Sequence, residues 1–553
     1  MKKGIFTLLA FILVMGTVLA GCGSNNNNGN TGNGEETSEG AEQVFRINLS
    51  SDPPSLDPGI AQDNTSFTVL RAIYEGLTRI DAEGNVVPAV AEKWDVSKDG
   101  LTYVFKLRED VKWSNGEPVK ASDFEFAWKR ALAPETASPY AYQLYYLKNG
   151  AEYNAGDIAD ADQVGVKATG DYELTVELNA PTPYFESLVS FFTYYPLNEK
   201  HVSENPNFAA DAEKMVTNGA FNISEWSHGD KIVLTKNPDF FEADQVHLTK
   251  VQMSMVEDAI TELSMYQTGE LDWAGRPNGE IPTDQIPALK DDPEANLQIK
   301  GIASTYYYNF NNAEEPFDNV KIRKALSMAI DRQAIIDNVT KGDQLPAFGM
   351  VSPGIQGQNG EFREEYPDKY FEENVEEAKK LLAEGLAEKG LDKLPTVNIL
   401  YNTPGDGHKK IAEAIADMWR KNLGIEVELD SQEWGVFLQT RTSLNYQVSR
   451  AGWGADYNDP MTFIDMFTST SGNNDIGFNN AEYDALVQEA YSTDDPQVRM
   501  DAMAKAEKIL IEDNMAILPI YYYTGIWLQQ DYVKNVVIDY SGNIDFTRGS
   551  IEK

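Results

Sequence analysis

TVNILYNTPGDGHKKIAEAIADMWRKNLGIEVEL, residues 396–429, carries the reading of the fold. Thr396 to Tyr401 reads as a strand. His408 to Leu423 reads as a helix, with Ile411, Ile415, Met418 and Trp419 on one apolar stripe. Gly424 stands where a helix stops. Ile425 to Leu429 reads as a second strand. Strand, helix, strand with so short a stop makes a parallel pair with a crossover. The chain is therefore expected to be an α/β protein, and not a sandwich or a bundle.

The same alternation extends outward on both sides. Phe45 to Leu49, Leu101 to Leu107 and Tyr172 to Leu178 read as strands. Asn64 to Leu77 is expected to be helical, with Phe67, Leu70, Ile73, Tyr74 and Leu77 on one stripe. Ser122-Asp-Phe-Glu125 has the pattern of a capping box, and Phe124, Trp128 and Leu132 follow four apart. Asp318 is expected to open a helix with Ile322, Leu326, Ala329 and Ile330 on one face. No internal repeat breaks this order.

The N-terminus speaks of compartment. Lys2 and Lys3 precede an apolar run, Ile5 to Ala20, that is short for a membrane span. It ends in Leu19-Ala20-Gly21-Cys22, and Cys22 is the sole cysteine in 553 residues. This looks like a bacterial lipoprotein signal, in which such a cysteine is lipidated and becomes the mature N-terminus. More than one acyl chain on one residue anchors a soluble body stably. The count also excludes an internal disulfide and a cysteine nucleophile. Ser24 to Glu42 has almost nothing apolar and reads as a flexible tether with a reach of roughly 25 Å. Order is expected from about Val44.

The chain is 42% hydrophobic and 11% aromatic, enough for a large core in two or three lobes. Asp plus Glu number 87 against 46 Lys plus Arg, a formal charge of -41. That balance argues against nucleic-acid binding and against electrostatic adhesion to anionic lipid. It fits solubility at high surface density.

Catalytic patterns are scarce. His201, His228, His247 and His408 show no H-E-x-x-H arrangement, so neither a zinc site nor any other metal is expected. Neither a G-x-S-x-G elbow nor a phosphate-cradling G-x-x-x-x-G-K loop occurs. Carboxylates are abundant, which leaves a carboxylate-dependent extracellular hydrolase as an alternative of a different class. What stands out is a set of aromatic segments with isolated charges: Trp434, Tyr306-Tyr-Tyr-Asn309, Tyr521-Tyr-Tyr523, and Arg450-Ala-Gly-Trp-Gly-Ala-Asp-Tyr-Asn-Asp-Pro460. Gly452, Gly454 and Pro460 make the last of these read as a loop after a strand, where binding residues are over-represented.

Taken in order, further segments resemble the periplasmic oligopeptide-binding proteins of the peptide/nickel solute-binding family. They are Leu56-Asp-Pro58, Tyr74-Glu-Gly-Leu77, Val90-Ala-Glu-Lys-Trp94, Leu107-Arg-Glu109, Val111-Lys-Trp-Ser114, Thr217-Asn-Gly-Ala220, Phe317-Asp-Asn-Val320, Ile322-Arg-Lys-Ala-Leu326 and the Ala451 to Pro460 stretch. The resemblance implies a type II periplasmic-binding-protein fold, two lobes closing about a two-strand hinge, with an extra inserted domain. Residues 1–21 would be the signal and 22–43 the tether. Lobe I would comprise 44–75, 200–302 and 525–553, the insertion 76–199, and lobe II 303–524.

The resemblance also implies a ligand-binding set. Asp456 would hold a peptide's α-amine, with Arg450 and His408 taking its carboxylate. Trp434 and Trp453 would line side-chain pockets, and Tyr140 would reach in from the extra domain. Gly452, Gly454, Ala455, Asn402, Tyr306 and Tyr523 complete the set. Gly454 stands where some relatives have cysteine. Local sequence alone equally allows Asp456 to cap the turn towards Asn458-Asp459-Pro460. The expected function is capture of oligopeptides, about two to five residues or longer, by a monomeric, lipid-anchored protein. Its partners would be the permease and ATPase subunits of an ABC importer, and it would use no cofactor. It would sit on the outer face of a bacterial cytoplasmic membrane, in the manner of a Gram-positive surface protein. Family members that bind nickel, haem or oligosaccharide keep a glycan-binding alternative open.

Overall fold

A computed structural model describes residues 42–81, 85–403 and 406–553. The signal, Cys22 and nearly all of the tether lie outside the described residues. Gln43 is already tied into the fold: its side chain donates to the Ile551 carbonyl at 2.8 Å, and its own carbonyl accepts from the Thr249 N–H at 2.8 Å. Order thus reaches at least one residue before Val44. Among the described residues no helix is long and apolar enough to cross a membrane.

The 396–429 unit forms as the sequence implies. Strand Val397–Thr403 pairs in parallel with Val427–Glu433, and helix Asp406–Leu423 makes the crossover. Ile411, Ile415 and Trp419 are buried, and the Trp419 indole donates to the Leu326 carbonyl at 2.8 Å. Gly424 ends the helix in the left-handed region at φ 70°.

This pair is one edge of a seven-stranded sheet. Its order runs Trp273–Gly275, Ile517–Gln529, Leu297–Phe310, Val448–Gly454, Val397–Thr403, Val427–Glu433, and Leu345–Pro346 pairs beside Ile517–Gln529. The two long members, of 14 and 13 residues, pair antiparallel and run the length of the sheet. Their register breaks between Gly301 and Thr305. A four-stranded sheet, Val44–Asn48, Lys250–Ser254, Lys231–Lys236 and Phe221–Ser227, forms a separate layer. A second one, Ala91–Val96, Thr102–Leu107, Glu173–Glu177 and Val166–Gly170, is antiparallel throughout. In its strand Thr102–Leu107 every second residue is buried, as alternation requires: Tyr103, Phe105 and Leu107.

Three local expectations shift. The helix from Asn64 ends at Ile73, not Leu77, because the Gly219 N–H takes the Ile73 carbonyl at 2.8 Å and Tyr74 turns extended. Backbone crosses so closely there that a Cβ on Gly219 would lie 2.4 Å from the Ile73 carbonyl carbon. The next helix is Ala121–Leu132, opened by Lys120 and not by Ser122: the Asp123 carboxylate accepts from the Lys120 N–H at 2.8 Å and from the Trp113 indole at 3.0 Å. Glu125, expected to close the cap, accepts instead from the Ala168 N–H. The helix expected from Asp318 is Val320–Met328, capped by Asn319. Tyr74, Leu77, Ala329 and Ile330 are buried all the same, outside any helix.

Candidate ligand-binding cleft

Arg450 and its neighbours lie on strand, not loop. Val448–Gly454 is a full member of the large sheet, and only from Ala455 does the chain turn irregular. The two glycines stay extended and pair with Leu297–Phe310, Gly452 opposite Tyr306 and Gly454 opposite Ser304. Glycine inside a strand marks close approach, and Gly452 shows what approaches. A Cβ there would lie 3.0 Å from the Tyr523 hydroxyl and 3.3 Å from Arg450 Nη2. Gly454 is different, since a Cβ would meet nothing nearer than 3.6 Å.

Over Gly452 the Arg450 guanidinium is held by neutral groups. Nη2 donates to the Tyr523 hydroxyl at 2.7 Å and Nη1 to Asn402 Oδ1 at 3.3 Å. The guanidinium carbon sits 5.0 Å from the Tyr306 ring centre, a cation–π contact. Among the described residues Nε has no partner and no carboxylate forms an ion pair with Arg450. The His408 ring lies with Nδ1 3.3 Å from the Tyr306 hydroxyl. Burial, with the Arg450 charge adding to it, holds its pKa well below the ordinary histidine range. His408 is thus a neutral partner here and Arg450 the cation. Trp434 closes the wall and donates to Asp63 Oδ1 at 3.4 Å. Asp63 itself caps the helix Asn64–Ile73.

Arg450, Asn402, His408, Trp434 and Tyr523 line one cavity of about 220 Å³. Arg276, on the turn after Trp273–Gly275, lines it too and was not apparent from sequence. A turn-rich stretch, Gly275-Arg-Pro-Asn-Gly279, was its one signal.

Asp456, Trp453 and Tyr140 gather elsewhere, at the other end of the same strand. The Trp453 indole donates to the Thr462 carbonyl at 2.8 Å, and its ring centre is 6.1 Å from that of Tyr140. Tyr140 is packed edge-on against Phe191 and Phe192. The backbone N–H of Ala455, at the start of the turn, donates to the Ala303 carbonyl at 2.9 Å. Asp456 Oδ2 accepts from Gln143 Nε2 at 3.4 Å, and no cation is in ion-pair range among the described residues. Burial pushes its carboxyl well above the usual carboxylate range, and nearby Asp465 pushes the same way. Asp456 does not cap the turn: Asp459 does, accepting from the Met461 N–H at 2.9 Å while paired with Arg499 at 2.7 Å.

Aromatic rings from the 102–195 region and from the 450–499 region interleave beside Asp456. Tyr184 stacks on Tyr457 at 5.2 Å and 1°, and the Arg499 guanidinium carbon lies 4.6 Å from the Tyr184 ring centre. Tyr146 meets the Tyr457 hydroxyl at 3.3 Å. On the cavity side, Lys410 and Lys341 hold the Asp284 carboxylate at 2.9 and 3.2 Å.

Residues 85–475 match the family described as bacterial extracellular solute-binding proteins, family 5 Middle. Over 552 residues, covering 99% of each chain, the sequence is 44% identical to the oligopeptide-binding protein OppA of Bacillus subtilis. The structure resembles Listeria monocytogenes OppA bound to peptide, with a TM-score of 0.86 at 34% identity over 93% of this chain and 100% of that one. Against the unliganded open form of the murein tripeptide-binding protein MppA the TM-score is 0.62, at 30% identity over 92% and 98%. The fold is the type II periplasmic-binding-protein fold, with two lobes and an additional domain.

Proposed function

The chain belongs to the bacterial extracellular solute-binding proteins of family 5, and on that footing we propose that it captures oligopeptides outside the cytoplasm and delivers them to an ABC-type permease and its ATPase. One observation carries the peptide reading. Among the described residues Arg450 meets no carboxylate and Asp456 no cation, the first on strand Val448–Gly454 and the second two residues past its end. Six residues of chain span at most on the order of 20 Å. A short extended peptide carries an ammonium and a carboxylate at comparable separation, so one ligand answers both groups. The aromatic groups between them supply apolar walls.

In this reading Asp456 takes the α-amine and Arg450 the carboxylate, with Asn402 and Tyr523 orienting the guanidinium. His408 donates or accepts as a neutral ring, and Trp434, Trp453 and Tyr140 flank side chains. The lobes divide as the family suggests: 44–75, 200–302 and 525–553; 303–524; and an insertion at 76–199. The register break after Gly301 supports a hinge beside residue 302. The relatives are binding proteins, and no turnover of peptide or glycan is expected. Cys22 is the proposed lipid anchor of a monomer on a Gram-positive surface, on the strength of its place after Leu19-Ala20-Gly21.

Native mass spectrometry of protein purified without refolding tests the ligand class. The expected spectrum contains a ladder of intact short peptides released on denaturation. A sugar or a metal ion in their place would contradict the reading.

A further inference from the structure

Two guanidinium groups with no carboxylate partner among the described residues face one cavity, in a chain of formal charge -41. One is Arg450. The other is Arg276, whose Nε donates to the Gly542 carbonyl at 3.2 Å. Its guanidinium carbon lies 5.6 Å from the centre of the Tyr523 ring, whose hydroxyl accepts from Arg450. The two cations therefore share one tyrosine, one at the ring and one at the hydroxyl. Burial, with the charge of Arg450 adding to it, lowers the Arg276 pKa from its ordinary value.

The acids nearby are otherwise engaged. Asp539 pairs with Arg71 at 2.8 Å and accepts from the Ser541 and Asn543 N–H groups. Glu280 lines the same cavity and accepts from the Gly407 N–H at 3.2 Å, while Glu257 is exposed at the rim. Among the described residues neither Asp539 nor Glu257 forms an ion pair with Arg276.

Arg276 is also presented by a fixed turn. The buried Glu262 carboxylate accepts from the Gly275 N–H at 2.8 Å and the Glu280 N–H at 3.2 Å, gripping both ends. The Arg276 N–H donates to the Ile526 carbonyl at 2.9 Å. Gly275 sits at φ 92°, where a Cβ would lie 2.5 Å from that carbonyl oxygen. The turn is pinned to the long strand Ile517–Gln529.

Two neighbouring cations withdrawn from water repel each other, and a single ligand carboxylate compensates only one. We infer that the Arg276 end of the cavity takes a second negative charge: an aspartate or glutamate side chain at or next to the C-terminus of the bound peptide, beside the terminal carboxylate at Arg450. This inference rests on the peptide reading above. Arg276 is in this sense a specificity residue.

The test is calorimetry with Ala-Ala-Ala-Glu, Ala-Ala-Glu-Ala and their glutamine counterparts, on wild type, Arg276→Gln and Arg276→Lys. Wild type is expected to bind at least one glutamate peptide about tenfold or more tighter than its glutamine counterpart. Arg276→Gln should bring that ratio within about threefold, and Arg276→Lys should keep part of it. The lysine variant decides the matter if thermal unfolding shows the glutamine variant misfolded, since a wild-type preference left undiminished in it then counts against the inference. Equal wild-type affinity for glutamate and glutamine peptides, or an undiminished preference in Arg276→Gln, overturns the inference and leaves peptide binding intact. Failure of all four peptides to bind wild type overturns both.

Discussion

Asp465 is 1% exposed and accepts from the Tyr491 hydroxyl at 2.9 Å and the Tyr457 hydroxyl at 3.3 Å, both on Oδ2. Oδ1 has no partner. Burial pushes its pKa up to about 7, against the two tyrosine hydrogen bonds, from an ordinary 3.8. The native state therefore prefers the neutral carboxyl. Its contribution to stability is fully present below about 3.8 and is lost as pH rises through about 7. Asp465→Asn keeps an oxygen for both tyrosines and removes the charge. Thermal unfolding should show the variant gaining on wild type at pH 8 by several degrees, with a smaller difference at pH 5. A gain independent of pH would show that Asp465 is ionised in the fold at both values. Arg450 shares this lack of a counter-ion among the described residues, but it lines a cavity open to a ligand, whereas Asp465 is enclosed by its own tyrosines.

At the scale of elements, much was legible and the gaps have reasons. The unit over 396–429 could be read because its periodicity switches cleanly from strand to helix and Gly424 marks the stop. The helix after Asn64 was overrun because its apolar stripe continues through Tyr74 and Leu77. Both are buried, but by chain brought in from Gly219, a tertiary crossing that local pattern does not contain. Arg450 to Gly454 read as loop because glycine normally weakens a strand. Here the missing side chain of Gly452 makes room for Tyr523, a residue 71 positions away. The residues that the resemblance singles out fall into two groups in the fold. Arg450, Asn402, His408, Trp434 and Tyr523 share a cavity, while Asp456, Trp453 and Tyr140 lie at the other end of the strand. Arg276 went unread because an isolated arginine in a turn looks like any solvated one until the fold turns it inward.

At the scale of the molecule, two claims can be checked separately. The first is the anchor. Cys22→Ser should leave folding and peptide binding unchanged and release the protein from membranes. Retention of the variant in the membrane fraction after a carbonate wash would contradict lipid anchoring. The second is that the lobes close on a peptide held by its ends. The structure is nearer to a peptide-bound relative than to an unliganded open one, with TM-scores of 0.86 and 0.62. In that arrangement the half-buried Asp456 carboxyl accepts from Gln143 and meets no cation among the described residues, so an empty closed cleft either holds it neutral or leaves its charge unpaired at a cost of several kcal/mol. A peptide ammonium removes that cost. The most direct measurement is calorimetry of wild type and Asp456→Asn, each with a tetrapeptide whose amine is free and with its N-acetylated form. The account predicts that the substitution weakens the free-amine peptide by roughly two orders of magnitude, weakens the acetylated one far less, and so yields a large coupling between Asp456 and the amine. A coupling near zero in a well-folded variant would contradict it and place the amine elsewhere.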